Sequence, residues 1–240
     1  MSELSTSAQA IISYLDCDYL HFPEGSDPKM IVKAFAELFD KREEGGYTPV
    51  LFGIWSIFNG RVMFDDRRNR FKLREDILAN EIDAEKELLD TLNYEKEYLK
   101  DDWENIVGEV GDGKKITVFD GICRFRADIS IECVIAKIPV TDPWEVFAWY
   151  PFGGFNDCPE PEEMYWTAKY WYKKYKAVPI LMTHDTLGFF APRVEDKNAA
   201  MELAMEQFAF CEDGVFRNFE TIGRLADSLT KSETWQFRWD

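Results

Sequence analysis

The residue types able to do covalent chemistry gather in two short stretches, "PFGGFNDCPEPEE" (151–163) and "VPILMTHDTLGFFAP" (178–192). Cys158 precedes a proline-and-acid run that reads as a helix start. A thiol there meets backbone N–H groups and the positive end of the helix dipole, which favour thiolate. His184 and Asp185 fall in the turn of the second stretch. Cys158 as nucleophile, His184 as base and Asp185 or Asn156 as orienting group would make a thiol site of the kind a hydrolase uses. Three carboxylates, Glu160, Glu162 and Glu163, crowd the same helix start and oppose the thiolate. The local patterns around known catalytic cysteines are missing. The preferred reading is plainer: Cys158 packs at a helix start and His184 is a polar turn residue.

Three further groupings could bind rather than react. Gly153, Gly154 and Asn156 could offer backbone N–H groups to an anion. No GxGxxG or GxxxxGK[ST] motif accompanies them, so a tight turn with positive φ is preferred. Lys169, Lys173 and Lys176 follow one another at helical spacing with Trp166 and Tyr170 beside them. They suit an anionic ligand, or the solvent face of a helix whose lysine stems cover aromatic edges, and the second is preferred. Glu145, Glu206 and Asp227 lie in helical segments, and spacing alone brings no two of them together. The two histidines, His21 and His184, without HExxH or Cys/His spacing, point to no metal, and no motif calls for a cofactor.

Around these residues stands a chain of 240 with 45 acids against 28 bases, a net charge of −17. Such a balance disfavours nucleic acid, whose phosphates bind through charge neutralisation. It suits solubility or a basic protein partner. The opening residues lack the basic and apolar regions of a signal peptide, and no run is long enough for a membrane span. Five cysteines (Cys17, Cys123, Cys133, Cys158, Cys211), with no CxxC pair, fit reduced thiols in a cytosol.

The elements that must position the candidates follow from periodicity. "SDPKMIVKAFAELFDKREEGG" opens as a helix with Asp27 as cap and Pro28 in the first turn, and its two glycines stop it. "YTPVLFGIW", "ITVF" and "ISIECVIAKIPV" read as strands. Between Phe71 and Val107, apolar residues at seven-residue spacing (Phe71, Leu78, Leu92, Leu99, Ile106), with Ile82, Leu89 and Trp103, predict an apolar stripe on one or two long charged helices packed on their own domain. "DPWEVFAWY" predicts a short helix capped by Asp142. "PEPEEMYWTAKYWYKKYKA" and "EDKNAAMELAMEQFAFC" predict helices, and "VPILMTHDTLGFFAP" a hairpin. "NFETIGRLADSL" predicts a helix capped by Asn218 with Ile222, Leu225, Ala226 and Leu229 inward. "TWQFRW" alternates, so Trp235, Phe237 and Trp239 share a face of a final strand. The fold class is α+β, with mixed α/β as the variant: a central mixed sheet with a C-terminal hairpin, covered by helices. A change of texture near Thr141 suggests an N-terminal region 1–140 and a C-terminal domain 141–240, or one continuous domain.

"PWEVFAWYPFGGFNDCP", "AKYWYKKYKAVPILMTHDTLGFF", "AMEQFAFCEDG", "IGRLADSL" and "WQFRWD", in that order and spacing, resemble the bacterial family known as domain of unknown function 4253, over residues 139–240. The family pattern has tryptophan where Phe155 stands, glycine at Lys176, glutamate at Gly188 and an aromatic residue at Arg238. The resemblance implies a bacterial cytoplasmic protein and assigns no residue a role. The expected function is a non-enzymatic acidic interaction protein, such as an immunity-type inhibitor of a basic partner. The alternative is a small-molecule enzyme built on Cys158 and His184.

Overall fold

The computed structural model describes residues 3–54, 67–118, 122 and 130–239. Helix α1 (Thr6–Leu15) starts at Ser5, whose Oγ accepts from the Ala8 N–H at 3.1 Å, and stops at Asp16, which turns left-handed at φ 50°. Strand β1 (Tyr19–Phe22) leads to α2 (Pro28–Asp40). The Asp27 carboxylate accepts from the Lys29 N–H at 2.9 Å and Pro28 opens the helix, as expected. Then come α3 (Arg42–Gly45), β2 (Thr48–Ile54), α4 (Arg67–Ala79), α5 (Ala84–Leu99), α6 (Trp103–Val107) and β3 (Glu132–Ile138). The second half contributes α7 (Val146–Trp149), α8 (Pro161–Tyr175), β4 (Val178–Met182), β5 (Thr186–Phe190), α9 (Lys197–Phe210), α10 (Glu212–Asn218), α11 (Ile222–Lys231) and β6 (Thr234–Arg238).

The strands form one mixed sheet in the order β1-β3-β2-β4-β5-β6. Pairing is antiparallel throughout except between β2 and β4, which run parallel through Leu51–Leu181 and Phe52–Met182. That parallel contact joins strands from the two halves of the chain. The α+β class, the mixed central sheet and the C-terminal hairpin are all present.

Alternation divides the sheet into two faces. On one side Val50, Phe52, Ile54, Val134, Ala136, Leu187, Phe189, Trp235 and Phe237 join the large core beneath α1, α5, α8, α9 and α11. On the other, Leu51, Cys133, Ile135 and Ile180 pack with Ile31 of α2. A register shift between Pro179 and Leu181 puts Ile180 and Leu181 on the same side. Trp171 of α8 centres the large core. Its ring stacks on Phe237 at 5.4 Å and meets Trp235 edge-on at 5.5 Å.

Several expectations need correction. The seven-residue stripe does not form one face. Residues 80–83 leave the helix between α4 and α5 and reset its phase. Helix α4 buries Ile77 and exposes Phe71 and Leu78, while α5 buries Ala84, Leu88 and Leu92 and exposes Leu89. Of the "ITVF" strand, Ile116 and Thr117 lie in a loop where the Ile116 N–H donates to Ser232 Oγ at 2.8 Å, and Phe119 lies outside the described residues. Cys123 lies outside them too.

Asn218 ends α10 and does not cap α11. Thr221 does so, its Oγ1 accepting from the Arg224 N–H at 3.2 Å. Asp142 stands where expected before the short helical turn, but its side chain makes no cap bond. The inward residues of α11 and the shared face of Trp235, Phe237 and Trp239 are buried as expected.

Candidate functional site

The loop 151–160 joins α7 to α8 and holds the first group of candidates. Gly153 (φ 126°), Gly154 (φ 68°) and Asn156 (φ 49°) all adopt positive φ, the conformation a tight turn demands. The Gly154 N–H donates to Pro159 O at 2.9 Å and the Cys158 N–H to Phe155 O at 2.9 Å. These two bonds and the positive φ values are those of a tight turn. Helix α8 begins later than Cys158 suggested. Glu160 is its cap residue, Pro161 its first residue, and the Glu163 carboxylate accepts from the Glu160 N–H at 2.8 Å.

Cys158 is buried in the large core. Burial pushes its thiol well above the ordinary range, and Cys211, Glu160 and Glu163 push it further. Cys211, whose Sγ donates to Arg238 O at 3.3 Å, is pushed up by burial to about 12. Neither thiol is poised as a nucleophile. In the native protein Cys158 and Cys211 are expected to react with iodoacetamide about tenfold or more slowly than the half-buried Cys17. His184→Ala should leave the Cys158 rate unchanged. Peptide mapping of the labelled protein against pH checks both, and fast labelling of Cys158 that titrates near neutrality would refute the expectation.

His184 and Asp185 close the β4–β5 hairpin, whose turn is fixed by the Thr183 N–H donating to Thr186 O at 2.8 Å. The buried Asp185 carboxylate is fully engaged. Its Oδ1 accepts from Thr183 Oγ1 (3.0 Å) and Thr186 Oγ1 (2.8 Å), and its Oδ2 pairs with Arg238 Nε (3.0 Å) and lies 3.5 Å from His184 Nε2. The arrangement ties the hairpin turn to β6 and satisfies the charge in place. Arg238 is the cation of this group.

On α8 the lysines separate. Lys169 lies over the Trp166 ring at 4.2 Å, and Lys173 is exposed. Lys176 has left the helix and forms its left-handed cap at φ 61°, a conformation that glycine adopts without the Cβ penalty. The lysine that does engage is Lys174. Its Nζ lies 2.7 Å from Glu206 Oε1 and 3.6 Å from Glu85 Oε1. Glu206 also accepts from Tyr170 Oη (3.0 Å), Trp171 Nε1 (3.1 Å) and Tyr175 Oη (3.0 Å). One carboxylate of α9 thus holds four donors of α8, and Glu85 of α5 shares two of them. Glu145 lies 3.8 Å from Arg74, and Asp227 accepts from the Gly113 N–H at 2.7 Å and pairs with Lys231, which holds its carboxyl below the usual range. Glu145, Glu206 and Asp227 thus belong to three separate groups. His21 pairs with Glu132 at 2.8 Å on the β1 edge.

A different convergence was not foreseen. Glu212, at the start of α10, has its carboxyl raised by burial and then by the negative charges of Glu95 on α5, Asp213 on α10 and Asp157 in the loop 151–160. Acids from three segments distant in sequence are thus near enough to act on one carboxyl. Nothing in spacing alone marks it, since Asp157, Glu95 and Glu212 are separated by dozens of residues. Among the described residues no group of three or more His, Cys, Asp or Glu is arranged to hold a metal ion, and no helix is long and apolar enough to cross a membrane.

The fold defines an α+β protein whose one mixed sheet carries most of its helices, and its main core, on one face. Within it, residues 134–240 match the family described as domain of unknown function (DUF4253). The match begins inside β3 and takes in the loop 151–160, the hairpin with Asp185, the Glu206 group and β6. No curated protein and no solved structure matches the chain.

Proposed function

We propose that this protein is a non-enzymatic binding protein that captures a basic protein partner, an immunity-type inhibitor of a basic toxin being one concrete form. The observation that carries the reading is the excess of 45 acids over 28 bases, and near the start of α10 the charges of Glu95, Asp213 and Asp157 help raise the Glu212 carboxyl. Like charges gathered on a surface raise one another's energy, and an incoming cation relieves it. The net charge of −17 extends the attraction over the molecule and repels phosphate backbones. The odd number of cysteines, with no CxxC pair, supports a reducing cytosol as its place. A thiol enzyme would need an accessible thiolate, and the burial of Cys158 speaks against one.

Affinity capture from the source cell, with mass spectrometry, tests the reading when run beside a charge-reversed variant, Glu95→Lys/Glu212→Lys/Asp213→Lys. A basic protein should be captured by the wild type, released by salt, and lost from the variant. Capture that is indifferent to the reversal, or no reproducible partner, would overturn it.

A further inference from the structure

Helix α5 carries the two most exposed large hydrophobic side chains among the described residues. Tyr94 is 65% and Tyr98 71% exposed. They lie one turn apart and their rings are near-parallel, 6.3 Å between centroids and 9° between planes. Asp90, also exposed, stands one turn before Tyr94 on the same helix, and its only ion pair among the described residues is the exposed one with Lys86 at 3.3 Å. The inner face of the helix is occupied by Ala84, Leu88 and Leu92 in the core. Elsewhere on the helix, Lys96 lies over the Trp103 ring at 5.4 Å and Glu85 meets Tyr170 and Lys174 of α8.

We propose that this outer face of α5 docks an arginine-bearing segment of the basic partner, a guanidinium lying flat on the Tyr94/Tyr98 pair while Asp90 exchanges its weak, exposed pair with Lys86 for the guanidinium's N–H fork. The proposal rests on the reading above and names the chemistry that the partner presents. Arginine is selected over lysine for two physical reasons. A guanidinium is planar and stacks on a ring face, and its parallel N–H donors match a carboxylate. An ammonium is strongly hydrated and does neither as well. Charge complementarity selects the class of occupant, and the ring pair selects the residue.

The test uses the full chain and two fluorescent peptides of equal charge, nona-arginine and nona-lysine, in anisotropy titrations with wild type and Tyr94→Leu/Tyr98→Leu. Leucine keeps the helix and the apolar surface, and circular dichroism verifies the fold. The arginine peptide should bind about tenfold more tightly than the lysine peptide. The double variant should lose that preference and keep its affinity for the lysine peptide. Equal binding of both peptides to the wild type, or an arginine preference that survives in the variant, would overturn the inference and leave the basic-partner reading standing. Binding of neither peptide would overturn both.

Discussion

Glu206→Ala should lower the thermal midpoint by about 6–12 °C, corresponding to about 3 kcal/mol of stability. The carboxylate is the common acceptor for Tyr170, Trp171, Lys174 and Tyr175. Trp171 is fully buried, so its indole N–H has no water to turn to when Glu206 is gone. The two tyrosine hydroxyls are only partly better placed. A buried donor left without an acceptor costs about 1–3 kcal/mol, and the losses are not additive because the donors share one group. The ion pair itself adds little, since Lys174 is 38% exposed. Glu206→Gln should cost roughly half as much, because its amide oxygen still accepts. Glu85→Ala is the control. Its exposed carboxylate shares two donors, and its loss should cost under about 1 kcal/mol. A melting curve for Glu206→Ala within about 0.5 kcal/mol of wild type would show that the cluster does not hold α8 to α9.

The same cluster sets the alkaline limb of stability. Burial first, and then Glu206 and Glu85, hold the Tyr170 hydroxyl above its ordinary value of 10.0, and burial and then Glu206 do the same for Tyr175. Burial alone would lower Lys174, but its bond to Glu206 raises it above 10.5. Each group keeps its proton longer folded than unfolded. The stabilisation is therefore complete below about pH 10 and is lost as pH rises toward the folded values. Glu206→Gln removes the charge that raises all three, so its alkaline limb should be flatter.

The parts of this molecule that were legible in the sequence are those whose cause is local. Asp27 and Pro28 announce α2, the alternation of Trp235, Phe237 and Trp239 announces β6, and the turn residues between β4 and β5 announce the hairpin. The stripe from Phe71 failed because a seven-residue count runs through four non-helical residues as if they were not there, and a shift of one position exposed Leu89 in place of Leu88. Asn218 and Thr221 are both good cap residues three positions apart. Glu220, at φ 69°, marks where the chain actually turns, and backbone of that kind leaves no clear mark in residue type. Glu206 was visible as an acid on a helix and nothing more. Its donors lie 31–36 positions earlier, and only the packing of α8 beside α9 joins them. The acids that act on Glu212 were hidden for the same reason. What the composition did carry was the sign of the charge.

Gly153→Ala is expected to cost about 3 kcal/mol and, unlike Glu206→Ala, to open one place before the whole fold. At φ 126° the backbone of Gly153 is strained for any residue with a Cβ, and a Cβ built there would fall inside contact distance of Pro159 O. That oxygen is main chain and already accepts from the Gly154 N–H, so it cannot swing aside as a side chain would. Gly154 differs. Its added Cβ would meet the Glu160 carboxylate, the far end of a flexible side chain, and its φ of 68° lies in a region other residues reach at moderate strain, so Gly154→Ala should cost about 1 kcal/mol. The loop that Gly153 closes holds Phe152, whose ring lies 5.4 Å from Phe155 and 6.1 Å from Trp239, and it covers Cys158. Forcing the loop open should therefore loosen these rings and make Cys158 available to iodoacetamide at temperatures where far-ultraviolet circular dichroism is still native, while Cys133, on the opposite face of the sheet, stays protected. A Gly153→Ala protein that melts like wild type and keeps Cys158 closed would mean that the loop has a second conformation of equal energy. Labelling of Cys133 in step with Cys158 would mean that the loop and the sheet unfold as one unit, and the thiol would then report global stability alone.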